Sequence, residues 1–134
     1  MSRAFVDTNV VVYAFIDDPR ADQAAALIAS RCAVSVQVLN EFAHVGRRKL
    51  GFTWPELRAA LAEIQSMSFA VVPLNPVIHQ DALRVAERYN FSIYDALIVA
   101  AALSADCDTL YSEDLKHGQV IDGRLKVVNP FVNE

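Results

Sequence analysis

Residues 2–15, SRAFVDTNVVVYAF, contain the passage on which the fold turns. RAFV (3–6) is a short apolar run without polar alternation, as expected of a strand covered on both faces. The run breaks at Asp7-Thr8-Asn9, and apolar residues resume at Val10. An acid and two small polar groups inside a first core element are costly unless they have partners. In open α/β sheets, sites form just beyond the carboxyl ends of strands. Asp7 is therefore the first candidate for a functional role, with an ordinary turn or helix cap as the plain alternative.

Working outward, short segments alternate in type. ADQAAALIASR (21–31) has helical apolar spacing after the turn Asp17-Asp18-Pro19, and AVSV (33–36) reads as a second strand. QVLNEFAHVGRRK (37–49) sets Val38, Leu39, Phe42 and Val45 on one helical face and ends in basic residues, where the helix dipole favours cations. Thr53-Trp54-Pro55-Glu56 is a capping box with a proline just inside the start, opening a helix over 54–67. FAVVPL (69–74) is a third strand. Asn75-Pro76 caps a helix to about Tyr89, with Val77, Ile78, Ala82, Val85 and Ala86 as its inner face. Ser92-Ile93-Tyr94-Asp95 starts a helix that is apolar nearly all round and so the most buried. DTLYS (108–112) and LKVV (125–128) complete the strands. This alternation predicts one α/β domain over 1–134, a parallel sheet with helices on both faces joined by right-handed crossovers.

Composition narrows the function classes. Hydrophobic residues make up 54% of the chain, enough for a real core, and the formal charge of -4 excludes a general polyanion trap. Binding to nucleic acid must rest on a local basic patch or on bound cations. The longest apolar run, ALIVAAALSA (96–105), lies between Asp95 and Asp106, far short of the roughly 18–20 residues that cross a bilayer. No membrane partner is expected. Cys32 and Cys107 are outside CxxC spacing in a chain without a signal-peptide pattern. This predicts two buried free thiols and a cytoplasmic location.

Four acids follow strands or lie near their ends: Asp7, Glu41, Asp95 and Asp114. If the topology holds, they converge on one edge of the sheet. Ionised carboxylates at close range repel one another, and a hard divalent cation such as Mg²⁺ or Mn²⁺ relieves that repulsion. Such an ion polarises a phosphoryl oxygen and acidifies bound water, so the implied chemistry is metal-assisted phosphodiester hydrolysis. Each acid also has a simpler explanation. Asp95 completes an S-x-x-D capping box, and Asp114 is able to cap the turn 113–117, with Glu113 beside it as a competitor. Glu41 interrupts the apolar face between Leu39 and Phe42 and calls for a partner.

The chain resembles the PIN-domain ribonucleases, and within them the VapC-type toxins of bacterial toxin–antitoxin pairs. FVDTNVVVYAF (5–15) looks like the family's opening motif, and VQVLNEFAHV (36–45) resembles its second, a glutamate followed by an aromatic residue. SIYDALIVAAAL (92–103) resembles the third, and LYSEDLKHGQVIDGRLKVVNPF (110–131) the ending common in VapC-like members. The resemblance implies a PIN-like three-layer sandwich around a four- to five-stranded parallel sheet, RNA as substrate, and Mg²⁺ or Mn²⁺ held by Asp7, Glu41, Asp95 and Asp114. It implies that Thr8 and Asn9 orient Asp7, that Ser112 is a supporting hydroxyl near the fourth acid, and that Asp114 is the metal-side member of Glu113-Asp114. A homodimer and a cognate VapB-like antitoxin are further implications. An RNA- or protein-binding adaptor without turnover, or a DNA-directed nuclease or phosphatase using the same acids, are the competing readings. Asn9 weighs against a haloacid-dehalogenase-like phosphatase, whose opening motif needs a second aspartate there.

For holding RNA, Arg47, Arg48 and Lys49 form the densest basic cluster, and Lys116 and His117 follow Asp114 directly. Phosphate contacts are one reading; a solvated helix end and an exposed turn are the others. Trp54 reads as a stacking platform, a hydrophobic staple or a dimer contact. His44 and His79 have no partner that spacing identifies.

Overall fold

The computed structural model describes residues 2–132. Twelve elements follow in order: β1 (Ala4–Val6), α1 (Thr8–Tyr13), α2 (Ala21–Ala29), β2 (Ala33–Ser35), α3 (Val36–Arg48), α4 (Trp54–Met67), β3 (Ala70–Val72), α5 (Pro76–Tyr89), α6 (Ile93–Ser104), β4 (Thr109–Tyr111), β5 (Val120–Ile121) and β6 (Leu125–Val128). The sheet order is β3-β2-β1-β4-β6-β5. Five strands are parallel, as expected, with Phe5 opposite both Ala33 and Leu110. The sixth, β5, pairs antiparallel with β6 at one edge. Its turn uses Asp122 and Gly123, both in left-handed conformations, and Arg84 and Tyr89 of α5 hold the Asp122 carboxylate.

The chain steps from β1 to β2 to β3 in one direction, through α1–α2 and then α3–α4. It returns through α5–α6 to β4, on the other side of β1. Right-handed crossovers therefore place α1–α4 on one face and α5–α6 on the opposite face. The reversal creates a switch point between β1 and β4.

Local sequence explains most element ends. Ser35 caps α3 through Val38 N–H, the Thr53–Glu56 capping box opens α4, Asn75 caps α5 through Ile78 N–H, and Ser92 caps α6. Residues Ala96 to Leu103 of α6 are all buried, as an all-round apolar helix requires. On α5 the inner face is narrower than the sequence suggests. Ile78, Ala82 and Val85 are buried at helical spacing, but Val77 is 74% exposed. One residue advances the helix by about 100°, which turns Val77 off the stripe that Ile78 defines. Both cysteines are free and buried. Among the described residues, no helix is long and apolar enough to cross a membrane.

Candidate active site

Beyond the carboxyl ends of β1 and β4, the switch point leaves a crevice. Asp7 emerges from β1 and Ser112–Asp114 from β4. The Asp7 N–H bonds Tyr111 O at 2.9 Å, extending the β1–β4 ladder one residue past the strand. The carboxylate, 4% exposed, accepts Thr8 N–H at Oδ1 (2.7 Å), and Ser112 Oγ (2.8 Å) and Asn9 Nδ2 (3.3 Å) at Oδ2. Asp7 is thus also the N-cap of α1, so the turn-and-cap reading and the site reading describe the same residue. Burial pushes its carboxyl up to about 6. Ser112 and Thr8 pull the other way, and the charges of Glu41 and Asp95 add to the rise.

Glu41 sits one turn into α3. Thr8 Oγ1 donates to its Oε1 at 2.7 Å and Gln37 Nε2 to its Oε2 at 3.0 Å. Thr8 therefore serves Asp7 through its backbone and Glu41 through its hydroxyl. Half-buried Asp95 lies in the first turn of α6, its N–H bonded to Ser92 Oγ at 3.1 Å. Burial raises its carboxyl above the usual range, Asp114 and Glu41 add to this by repulsion, and Ser92 opposes it. The fold has brought the four acids into one electrostatic neighbourhood.

Glu113 is handled differently from its neighbour. Tyr13 OH donates to its Oε1 at 2.6 Å, and Arg20 Nη1 pairs with its Oε2 at 3.1 Å. Arg20 is itself held by Asp18 at 2.8 Å and lies over the Tyr13 ring. The Glu113 N–H bonds Asn9 Oδ1 at 3.0 Å, which locks the residue to α1. Asp114 is exposed and lines the groove described next.

An open groove of about 990 Å³ is lined by Thr8, Asn9 and Tyr13 of α1, by Gln37, Glu41 and His44 of α3, and by Tyr94 and Asp114 among others, so that two of the four acids face it. Of the basic cluster, Lys49 lines this groove. Arg47 turns away: its guanidinium donates to Phe52 O at 2.9 Å and stacks on Trp54, which is 56% exposed. Arg48 and Lys116 are exposed. His117 Nδ1 accepts Asn129 N–H at 2.9 Å, committing the ring to the C-terminal segment. The sequence reading gives no site role to Gln37, Tyr94, Tyr13 or Arg20, takes His44 as structural, and weighs Glu113 only as a competitor of Asp114. Only Gln37 carried a signal, its i,i+4 spacing to Glu41.

The donor set suits a hard divalent cation. All the candidate donors are oxygens, and the carboxyls of Asp7 and Asp95 are raised chiefly by burial, with repulsion from neighbouring carboxylates adding to it, a combination that a bound cation offsets. Among the described residues no three His, Cys, Asp or Glu side chains close on one point. The arrangement fits an ion held by one or two carboxylates that keeps several waters, the manner of Mg²⁺.

Ser112 is fully buried and serves twice, donating to Asp7 and accepting Leu115 N–H at 3.3 Å. Ser112→Ala is expected to destabilise the protein by about 2 kcal/mol, the scale of a lost bond to a charged acceptor plus an orphaned N–H. Urea unfolding checks this, and a change below about 0.5 kcal/mol would remove the hydroxyl from the support of Asp7.

Residues 4–121 match the model of the PIN domain family. The chain belongs to the PIN domain family. All four acids of this PIN domain lie within the matched stretch, and its fold recurs in solved toxin structures. One is VapC20 of Mycobacterium tuberculosis, a Sarcin-Ricin loop cleaving toxin: 24% identity, 83% of this chain and 89% of that one covered, TM-score 0.68. A toxin–antitoxin complex from Klebsiella pneumoniae shares 20% identity over 96% of this chain and 98% of that one, with a TM-score of 0.73. VapBC2 of Rickettsia felis, bound to a DNA fragment from its promoter, shares 20% identity over 92% and 96%, with a TM-score of 0.64. Likeness at these identities establishes the shared fold. No curated protein matches the chain in sequence.

Proposed function

We propose that this PIN domain is a Mg²⁺- or Mn²⁺-dependent endoribonuclease of the VapC type, which hydrolyses RNA phosphodiester bonds and is neutralised by a cognate VapB-like antitoxin. The observation that supports it best is that Asp7, Glu41, Asp95 and Asp114 share one electrostatic neighbourhood near the β1–β4 switch point, with Glu41 and Asp114 lining an open groove. These four residues would hold the ion, which when bound polarises a phosphoryl oxygen and acidifies a water. Ser112, Asn9 and Thr8 orient the Asp7 carboxylate, and Thr8 also fixes Glu41. Arg20 and Tyr13 keep Glu113 out of the groove, leaving Asp114 to face it. A homodimer, which the VapC-like motifs imply, and a cytoplasmic location, which suits the two free buried thiols, complete the reading.

The test is cleavage of structured and single-stranded RNA with Mg²⁺ or Mn²⁺ and with EDTA, with single-stranded DNA and a generic phosphate ester run alongside. Products are expected from RNA only, and only with the cation. Cleavage that survives EDTA, or RNA retained without products in every condition, would overturn the proposal.

Phosphate contacts are expected from the groove-lining cation. Lys49→Ala is expected to weaken RNA binding and lower the slope of log affinity against log salt by about 1. Arg47→Ala is expected to leave that slope unchanged, because its guanidinium is engaged with Phe52 and Trp54. Equal slopes for Lys49→Ala and wild type would take Lys49 out of the interface.

A further inference from the structure

Each oxygen of the Glu41 carboxylate is held by a side chain from a different helix. Thr8 of α1 reaches Oε1 at 2.7 Å and Gln37 of α3 reaches Oε2 at 3.0 Å. Gln37 is 9% exposed, a buried amide on the border of an otherwise apolar face. It lies one turn before Glu41, and the i,i+4 relation stacks the two side chains on one side of the helix. A buried amide is expensive unless its groups are used, and here the donor is spent on an acid of the site.

The geometry points to Gln37 as a positioning residue for Glu41. With Thr8 at the other oxygen, its N–H stops rotation of the carboxylate about its terminal bond. Each oxygen accepts one of these bonds and keeps a further lone pair for a ligand in the groove that Glu41 lines. A neutral donor suits the task. Lysine or arginine at this position would orient the carboxylate equally well, but would cancel the charge that attracts a cation. The Thr8 bond crosses from α1 to α3 and the Gln37 bond stays within α3, so the first ties the two helices together and the second fixes the carboxylate on its own helix. This inference rests on the metal-dependent reading given above.

The test is Mn²⁺ binding to the full chain, read by the electron paramagnetic resonance of free Mn²⁺, in a double-mutant cycle. Gln37→Met keeps the volume and removes the donor. It is expected to weaken Mn²⁺ binding about 10-fold, the lower end of the loss that follows removal of a residue supporting a metal ligand, with the thermal midpoint little changed. In a Glu41→Gln background the same substitution is expected to add less than about a twofold loss, because a residue acting only through Glu41 has nothing left to position. Gln37→Leu carries the same expectation should the methionine variant fail to fold. Wild-type Mn²⁺ affinity in Gln37→Met, or equal losses in the two backgrounds, would overturn the inference while leaving the metal-dependent function standing. Wild-type protein that binds no Mn²⁺ and cleaves RNA in EDTA would overturn both.

Discussion

Asp7→Asn is expected to abolish RNA cleavage and, at the same time, to make the metal-free protein more stable. A bound cation is worth several kcal/mol in the transition state, so losing the most buried of its carboxylates should lower the rate by about a thousandfold or more. The stability effect has the opposite sign. With its carboxyl pushed up to about 6 from 3.8 by burial, Asp7 is uncomfortable as an anion in the metal-free fold. That displacement corresponds to about 3 kcal/mol at neutral pH. The asparagine keeps the Thr8 N–H bond and can donate to Ser112, but it sets two amide groups against each other at Asn9. Subtracting about 1 kcal/mol for that mismatch leaves a net gain of about 1–2 kcal/mol. Thermal unfolding in EDTA at pH 7.5, beside the cleavage assay, checks both halves. An asparagine variant that is inactive but less stable than wild type would place the loss in packing and not in charge.

Divalent cation is expected to stabilise the wild-type protein strongly at pH 7.5 and about half as much at pH 5. The sign follows from Asp7. Below about pH 4 the carboxyl is protonated in the folded and unfolded chains alike, and the group has no effect on stability. Between about 4 and 6 the unfolded chain gives up the proton first, so stability falls as pH rises, and above about 6 the full cost remains. Asp95, raised by burial and by Asp114 and Glu41, acts in the same direction. A cation at about 100 times its dissociation constant contributes about 3 kcal/mol, or about 10 °C in Tm for a domain of this size. At pH 5 it must displace a proton from Asp7, which weakens binding about tenfold and should roughly halve the shift. A metal-induced shift of equal size at both pH values would break the link between the ion and this carboxylate.

Much of the site was legible because its residues mark the ends of elements. The polar break after RAFV, the capping serine before Asp95 and the Ser112-Glu113-Asp114 run are local signals, each readable within a few positions. The helix α1 was not. Val10, Val11 and Val12 are β-branched, which lowers helix propensity, yet Val10 and Val11 are wholly buried and packing overrides the preference. The strand β5 escaped notice although Asp122-Gly123, a recognised turn pair, preceded LKVV; a two-residue strand has no period to read. The basic triplet misled in a different way. Arg47, Arg48 and Lys49 are equivalent in sequence, but the α3–α4 connection claims Arg47 through Phe52 and Trp54, and Lys49 lines the groove.

By itself the sequence determined the order of the five parallel strands and the five longer helices, and which carboxylates stand near their ends, because caps, turns and apolar periods act over a handful of neighbours. The tertiary structure alone decided that Asp7 resists ionisation, that the Thr8 hydroxyl goes to Glu41 33 residues away, and that Arg20 and Tyr13, 93 and 100 residues upstream, draw Glu113 aside. These outcomes depend on burial and on charge separations of a few ångströms. Such distances are set by how the crossovers stack around β1 and β4, and no short stretch of chain contains them.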